Sequence, residues 1–357
     1  GNGNNATEDK TRWGPIYVGN IDFNVPVYTW KRKEDLLLAA ENGRKVKEQD
    51  VQLKINEVRY QVKESYWGYL YASSLMDFAK DIIDKLKDNI EQAKKRKGRT
   101  QSLEILLAQI QGKKAEIEKN FYLTQSSLAL RLGMGPKQKI IPNEEWLEST
   151  PRELKPLEYY QDLAKNNKPE FQQLRSGIIA KDAMSNSQKK ANWPMFAFIT
   201  RYEFSYTSMR PRQEGIFTYD PYNRWTFLMG VGLRWSWDFG VNDALTQKFR
   251  AEAMELKAKE FYAQDGFNVL VEKSWREVKE AEEKFESAKA ASKIAKSWLT
   301  RLAMNYGLGL GDTKELVEAY QARMLTLRDF YEAIFQHHMS WANLSSTVGL
   351  EVDPAVL

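Results

Sequence analysis

Few side chains in this 357-residue chain combine the type and the spacing that catalysis or metal binding requires. The only histidines, His337 and His338, are neighbours within a helical pattern, so they point about 100° apart and cannot share a metal ion. We expect a surface or partly buried position for both. Residues 307–313 (GLGLGDT) are rich in glycine but lack the Gly-Lys-Ser/Thr ending of a phosphate-binding loop. Cysteine is absent, which removes disulfides, thiolate ligands and thiol nucleophiles.

The composition also argues against several classes of function. Carboxylate pairs are plentiful because 28% of residues are charged, but on long helices such pairs are most simply solvated ion pairs. We therefore predict no enzyme activity, no cofactor and no metal. The formal charge of +5 is mild and both signs are interspersed, so we predict no nucleic-acid partner. A mean hydropathy of -0.60 with 11 Trp suits long solvated helices joined to a small, aromatic-rich membrane zone.

The chain contains an internal duplication. Residues 62–66 (VKESY) recur as 271–275 (VEKSW), about 209 positions later, and 128–133 (LALRLG) corresponds to 344–349 (LSSTVG). Each half is predicted to contain a strand, a very long helix, a sharp turn and a medium helix.

The two long helices are predicted at about 31–97 and 241–306, and neither contains a proline. Some 66 residues give a helix on the order of 100 Å long, which requires coiled-coil-like packing. Returning helices at about 100–132 and 313–348 are half as long, and a helix at about 169–190 is available to stack end to end on one of them. The helices alone are also compatible with an ordinary dimeric coiled coil.

Three segments, at 21–27, 196–206 and 231–239, alternate between apolar and polar residues. The alternation predicts strands with one face toward lipid and one toward water. The alternative is a soluble antiparallel sheet that packs on its own helices, but long helical rods offer no flat apolar surface for it. The residues we assign to the lipid face are Phe23, Phe196, Phe198, Tyr202, Phe204, Leu233, Trp235 and Trp237. Because lipid tolerates no open sheet edge, several protomers must share one barrel, and a fourth strand is expected upstream of Gly1.

Several short motifs carry a resemblance to a known family. They are 167–170 (NKPE) followed by a helix and Trp193-Pro194, 237–240 (WDFG) at a strand-to-helix junction, and 306–319 around a helix turn. Across nearly its whole length the chain resembles the TolC-like outer-membrane efflux proteins. The resemblance implies a mainly α fold with a small β part. Long antiparallel helical hairpins would form a trimeric α-barrel tunnel, and the strands of three protomers would form a shared 12-stranded outer-membrane β-barrel.

The resemblance also implies partners and roles for particular residues. A periplasmic adaptor and an inner-membrane transporter would dock on the tunnel tip, through the turns that hold Gly98, Arg99, Gly307 and Gly309. Glu315 and Glu318 fall where the family usually has Asp, in an acidic ring at the tunnel entrance, although two Glu in a helix's first turn also simply suit the helix dipole. Tyr306 matches a tyrosine that helps to close the tip. Gly311 stands where the family often has arginine.

These inferences define a set of segments and a function. The predicted segments are an outer-membrane strand of the first repeat (1–30), a first helical hairpin (31–133), an irregular equatorial connector (134–168), a short stacked helix (169–192), an outer-membrane hairpin (193–240), a second helical hairpin (241–350) and a C-terminal tail (351–357). The expected function is an outer-membrane exit duct of a tripartite efflux or type I secretion system that extends into the periplasm. The alternative is a periplasmic coiled-coil scaffold or adaptor without a pore.

Overall fold

The computed structural model describes residues 14–96, 98–135, 138, 140, 142, 147–149, 152–215 and 217–353. The fold is mainly α-helical with a small three-stranded sheet. Its elements, in chain order, are β1 (Tyr17–Tyr28), α1 (Arg32–Lys95), α2 (Gln101–Arg131), α3 (Leu157–Asn167), α4 (Pro169–Lys189), β2 (Met195–Tyr206), β3 (Arg224–Arg234), α5 (Val241–Gly307) and α6 (Thr313–Val348). The strand expected upstream of Gly1 lies outside the described residues.

The duplication is visible in the backbone where each long helix begins. Trp30 and Lys31, with φ of 56° and 63°, precede α1, and Phe239 and Gly240, with φ of 53° and 100°, precede α5. The two pairs are separated by the same interval as the repeated motifs at 62–66 and 271–275. Left-handed backbone is unfavourable for bulky residues, so both halves keep the same strained corner between strand and helix.

One compact unit, 1–44 with 176–257, contains the sheet. The strands lie in the order β1-β2-β3 and both pairs are antiparallel, with a bulge in β1 between Pro26 and Tyr28. The strand predicted at 231–239 is corrected: β3 begins at Arg224 and ends at Arg234. It ends there because Arg234 pairs with Met195, the first residue of β2, so later residues have no ladder partner.

The other unit, 45–175 with 258–357, holds the helical hairpins. Near the turns, all four long helices contribute to one apolar cluster. Its buried members are Ile82, Ile83, Leu86, Ile90, Ala93, Leu103, Leu106, Ile110, Leu299, Tyr306, Leu316, Ala319 and Tyr320. Their three- and four-residue spacing places them on one stripe of each helix, and burying that stripe stabilises helices of this length.

The connector differs from the prediction because it contains a helix, α3, which begins directly after Pro156. Its apolar positions, Tyr160 and Ala164, are buried against α5 and α6. Proline is well suited to a helix start, and the one-turn spacing of these residues buries one face of α3. Pairing with the rest of the unit therefore stabilises a helix too short to stand out in the sequence.

The expectation of a surface or partly buried position for the histidines is also corrected. His337 is 5% exposed and His338 is 1% exposed. Both lie in α6 beneath aromatic residues of α1 and α5. Burial favours the neutral imidazole, and it lowers the pKa of His337 to about 4 and that of His338 to about 3.

Candidate functional site at the helix turns and on the sheet

Two turns connect the long helices to their returning helices. The first turn comprises Arg96 and 98–100, and the second turn comprises 306–312. In the first, the Gly98 N–H donates to the Ala93 carbonyl (2.9 Å) and closes the end of α1. In the second, Asp312 caps α6 by accepting from the Lys314 N–H (3.1 Å). An N-terminal Asp satisfies a backbone donor that the helix itself leaves open.

An arginine joins the two turns. The Arg96 guanidinium donates from Nη1 to the Tyr306 carbonyl (2.9 Å) and from Nη2 to the Gly307 carbonyl. Both acceptors lie in the last turn of α5, where carbonyl groups lack intrahelical donors and the helix dipole is negative. Arg96 therefore caps α5 from the other half of the chain. The sequence analysis did not identify it, because a basic residue at a helix end gives no indication of a distant partner.

Tyr306 and Gly311 shape the second turn from inside. The Tyr306 side chain is buried in the apolar cluster, and its hydroxyl lies 3.5 Å from Thr313 Oγ1 of the same chain. A Cβ atom at Gly311 would lie 3.0 Å from both the nitrogen and the Cα of Tyr306. Any side chain at this position would require the Tyr306 backbone to shift, so the close approach favours glycine.

The remaining predicted turn residues are open to solvent. Arg99, Gly98 and Gly309 are exposed, and Gly307 is half-buried. Between the glycines, Leu308 and Leu310 expose 74% and 82% of their surface, which is unusual for leucine in a tight turn. The second turn thus presents two apolar side chains on a backbone held by Arg96.

Glu315 and Glu318 lie on the exposed side of the first turns of α6. Their inward neighbours, Leu316 and Ala319, are completely buried in the apolar cluster. This alternation fixes the direction of both carboxylates, because the opposite face of the helix is occupied by the core. Within the described residues, neither glutamate forms a salt bridge.

The register of the sheet sorts its residues into two faces. Phe198 lies between Val25 and Val231, and Tyr202 lies between Ile21 and Phe227, so aromatic and aliphatic residues form continuous rows across all three strands. Phe23 pairs with Thr200 on this face, Phe196 with Leu233, and Phe204 with Trp225. These apolar side chains are exposed, from 36% for Phe198 to 74% for Val231. We call this surface the apolar face.

The opposite face of the sheet carries ion pairs between strands. Arg201 on β2 contacts Asp22 on β1 directly opposite, with Nε 2.6 Å from the carboxylate. Arg224 on β3 contacts Glu203 on β2 at 2.5 Å. Opposite charges on neighbouring strands stabilise the strand pair, and their presence on one face only makes the sheet two-sided.

Aromatic residues gather where the sheet meets the helices. Trp30 donates from Nε1 to the Pro194 carbonyl (2.7 Å) and packs edge-on against Trp193 at 5.2 Å. Trp235 and Trp237, predicted to be in a strand, follow the end of β3, and Trp235 donates to the Asn192 carbonyl (3.0 Å). Trp237 is 74% exposed. Rings with an apolar body and one anchored polar atom are typical of a membrane–water boundary.

The described part of the chain holds no group of three or more His, Asp or Glu residues arranged to bind a metal ion. Its helices include none that is both long and apolar enough to cross a membrane.

Comparisons with known proteins gave matches at the level of structure. No protein-family model matches the sequence, and a search of curated proteins found no match. The outer membrane protein VceC of Vibrio cholerae superimposes with a TM-score of 0.73 at 12% identity, covering 94% of this chain and 87% of VceC. The open state of the MtrE outer membrane channel of Neisseria gonorrhoeae gives 0.72 at 12% identity, covering 95% and 81%. A membrane protein of Pseudomonas aeruginosa gives 0.73 at 13% identity, covering 94% and 84%.

Proposed function

We propose that this chain, which has the TolC-like fold of outer-membrane channels, is one protomer of a homotrimeric outer-membrane exit duct. The duct extends into the periplasm and conducts substrates passively to the exterior. It performs no catalysis. Its work is to provide a sealed path whose periplasmic mouth opens when partners bind.

One observation carries this proposal: the apolar face is complete across three strands and is exposed. A soluble sheet would bury such a face against helices of its own unit, because burial stabilises the fold by about 25 cal/mol per Å² of apolar surface. Here the largest side chains of the sheet remain open, while charges are paired on the reverse face. Lipid is the medium in which this arrangement is stable.

The sheet edges support assembly from several copies. In the order β1-β2-β3, the outer edges of β1 and β3 have no partner strand among the described residues. An open edge in hydrocarbon leaves backbone groups without hydrogen bonds, and each such group destabilises the structure by several kcal/mol. A closed ring of protomers, together with any strand that precedes β1, removes these edges.

The two turns support a gated mouth that receives partners. Leu308 and Leu310 are candidates for contact with a periplasmic adaptor, and an inner-membrane transporter supplies the energy. Three copies of Glu315 and Glu318 around a narrow mouth would focus a negative potential that attracts cations. This arrangement suits the duct of a tripartite efflux or type I secretion system.

The proposal is tested by producing the full chain in Gram-negative cells and following its extraction and assembly. We expect the protein to be found in the outer membrane and to be extracted only with detergent. Chemical cross-linking should yield a trimer, and the purified trimer should conduct ions in planar bilayers. A monomer that is soluble in buffer and produces no conductance would instead identify a periplasmic scaffold without a pore.

A further inference from the structure

A completely buried ion pair ties the chain's last described residues to the connector. Arg152 of the connector has a side chain that is 0% exposed, and its Nε lies 2.8 Å from Asp353 Oδ1, on a side chain 2% exposed. The guanidinium also lies over the Trp341 ring, at 5.9 Å from its centroid. A charge buried this deeply requires its counter-ion, because no water is available to replace it.

The segment that brings Asp353 into place is itself anchored. Glu351 accepts from Ser345 Oγ (2.9 Å) and forms a 2.6 Å ion pair with Lys63 of α1. The Val352 N–H donates to the same Ser345 hydroxyl (3.2 Å). Residues 351–353 therefore connect α1, the connector and α6 by polar contacts. We call this segment, with Arg152, the clasp.

His338 completes the clasp and restricts its protonation state. Its ring stacks on Trp67 at 3.7 Å, its Nδ1 lies 2.9 Å from Arg152 Nη2, and its Nε2 lies 2.8 Å from the Glu148 carbonyl. A guanidinium can only donate, so Nδ1 must be the unprotonated acceptor and Nε2 must carry the hydrogen that Glu148 accepts. The one position left for a second proton is the atom that faces Arg152.

We propose that the clasp is an acid-sensitive joint, in which protonation of His338 at Nδ1 separates Arg152 from α6 and releases residues 351–353 and the connector. The proton would replace a hydrogen bond by contact between two cations. The carboxylate nearest to this contact, Asp353, is already paired with Arg152. Arg152 of the connector and His337 of α6 are the ionisable groups that act on His338, and the α1 residue stacked on it, Trp67, is uncharged.

The difference between the pKa of His338 in the closed clasp and in the open clasp sets the size of the pH dependence. Burial and Arg152 lower the pKa of His338 to about 3 in the closed clasp, whereas an exposed histidine has a pKa of about 6.5. The open form thus binds the proton more readily, and closure is fully favoured only above about pH 6.5. As the pH falls below this value, the equilibrium constant for opening increases about tenfold for each pH unit. One proton therefore predicts an increase of about thirtyfold between pH 7.5 and pH 5.

Hydrogen exchange of the full-length trimer in detergent tests this proposal. The reporters are the Val352 and Asp353 amides, after division by the intrinsic exchange rate at each pH, and the buried core of α2 around Leu106 is the internal reference. We expect the opening of the clasp to increase thirtyfold while the reference stays constant. A pH-independent opening equilibrium in the wild-type protein would overturn the proposal without any variant.

Three variants test whether His338 is the group that takes up the proton. His338→Gln keeps an acceptor for Arg152 and a donor for Glu148 but cannot ionise, so its opening should lose the pH dependence. Asp353→Asn should raise opening at every pH and leave the slope unchanged. His337→Gln is the matched control: His337 is held by Trp341 of α6 and Phe285 of α5 rather than by residues 351–353, so this variant should retain the slope. A slope that disappears in His337→Gln but persists in His338→Gln would contradict the assignment to His338.

Discussion

Arg96 and Tyr306 stand 210 positions apart, yet the guanidinium of the first donates a 2.9 Å hydrogen bond to the backbone carbonyl of the second. The contact joins the end of α1 to the end of α5, so it couples the equivalent long helices of the two repeats. The charged residue that links the two turns comes from the first half of the chain.

Replacing Arg96 by alanine is predicted to loosen the second turn. Hydrogen bonds to a charged donor contribute about 1.5–3 kcal/mol, and the exposure of Arg96 places the expected loss near the lower value. A loss of about 1.4 kcal/mol increases the population of open mouths about tenfold. The measurement is the frequency and size of conductance steps of the purified trimer in planar bilayers.

Arg99→Ala is the control for this change, because it removes the same charge from the same turn without removing the bonds to α5. It should behave like the wild-type channel. Arg96→Lys should be intermediate, since an ammonium group can bond one of the carbonyls but does not match both. Equal effects of the Arg96 and Arg99 variants would mean that charge alone is responsible.

Replacing both Glu315 and Glu318 by glutamine is predicted to weaken the cation selectivity of the channel. In the proposed trimer the two exposed carboxylates would contribute six charges, and a narrow mouth would concentrate their field. The reversal potential in a salt gradient should move toward zero while the trimer keeps its stability. A matched change of Glu282 and Glu283, exposed in the middle of α5, should have a smaller effect. An unchanged reversal potential would exclude the acidic ring.

The long elements of the fold follow from local pattern. The absence of proline from 31–97 and 241–306 allowed uninterrupted helices, and the structure has them at Arg32–Lys95 and Val241–Gly307. Strand alternation likewise identified the apolar face, because a period of two assigns each residue to one side of a sheet. Such patterns act over a few residues and can be read without knowledge of the partner.

What the sequence did not reveal depends on contacts between distant segments. β3 ends at Arg234 although alternation continues to Phe239, because β2 supplies no further partner. His338 is buried because Trp67 and the connector cover it, and nothing next to it in the sequence indicates this. The bond from Arg96 to α5 is invisible for the same reason.

Arginine on the apolar face should destabilise the assembled protein, whereas arginine on the reverse face should not. Phe23 and Asn24 are adjacent on β1 and point to opposite sides, which makes Phe23→Arg and Asn24→Arg a matched pair. Lipid exposure near the middle of a bilayer costs about 2–4 kcal/mol for Arg, and exposure to water costs little. The measurement is the fraction of heat-resistant trimer after folding into lipid vesicles. If both variants assemble equally well, the apolar face does not meet lipid.

Gly349 is predicted to be irreplaceable at the end of α6. It has φ of +81°, and an added Cβ atom would lie 3.1 Å from the Asn167 carbonyl oxygen and from Lys168 Cα. Alanine would combine left-handed backbone strain of about 1–2 kcal/mol with a contact against rigid backbone, so the unfolding midpoint should fall.

Gly266→Ala is the control: this glycine lies inside α5 with nothing within 4 Å of the added atom. There alanine should stabilise the helix by about 0.5–1 kcal/mol, so the two substitutions should shift thermal unfolding in opposite directions. Shifts of the same sign would show that the junction between α6 and the start of α4 is not held by close backbone contact.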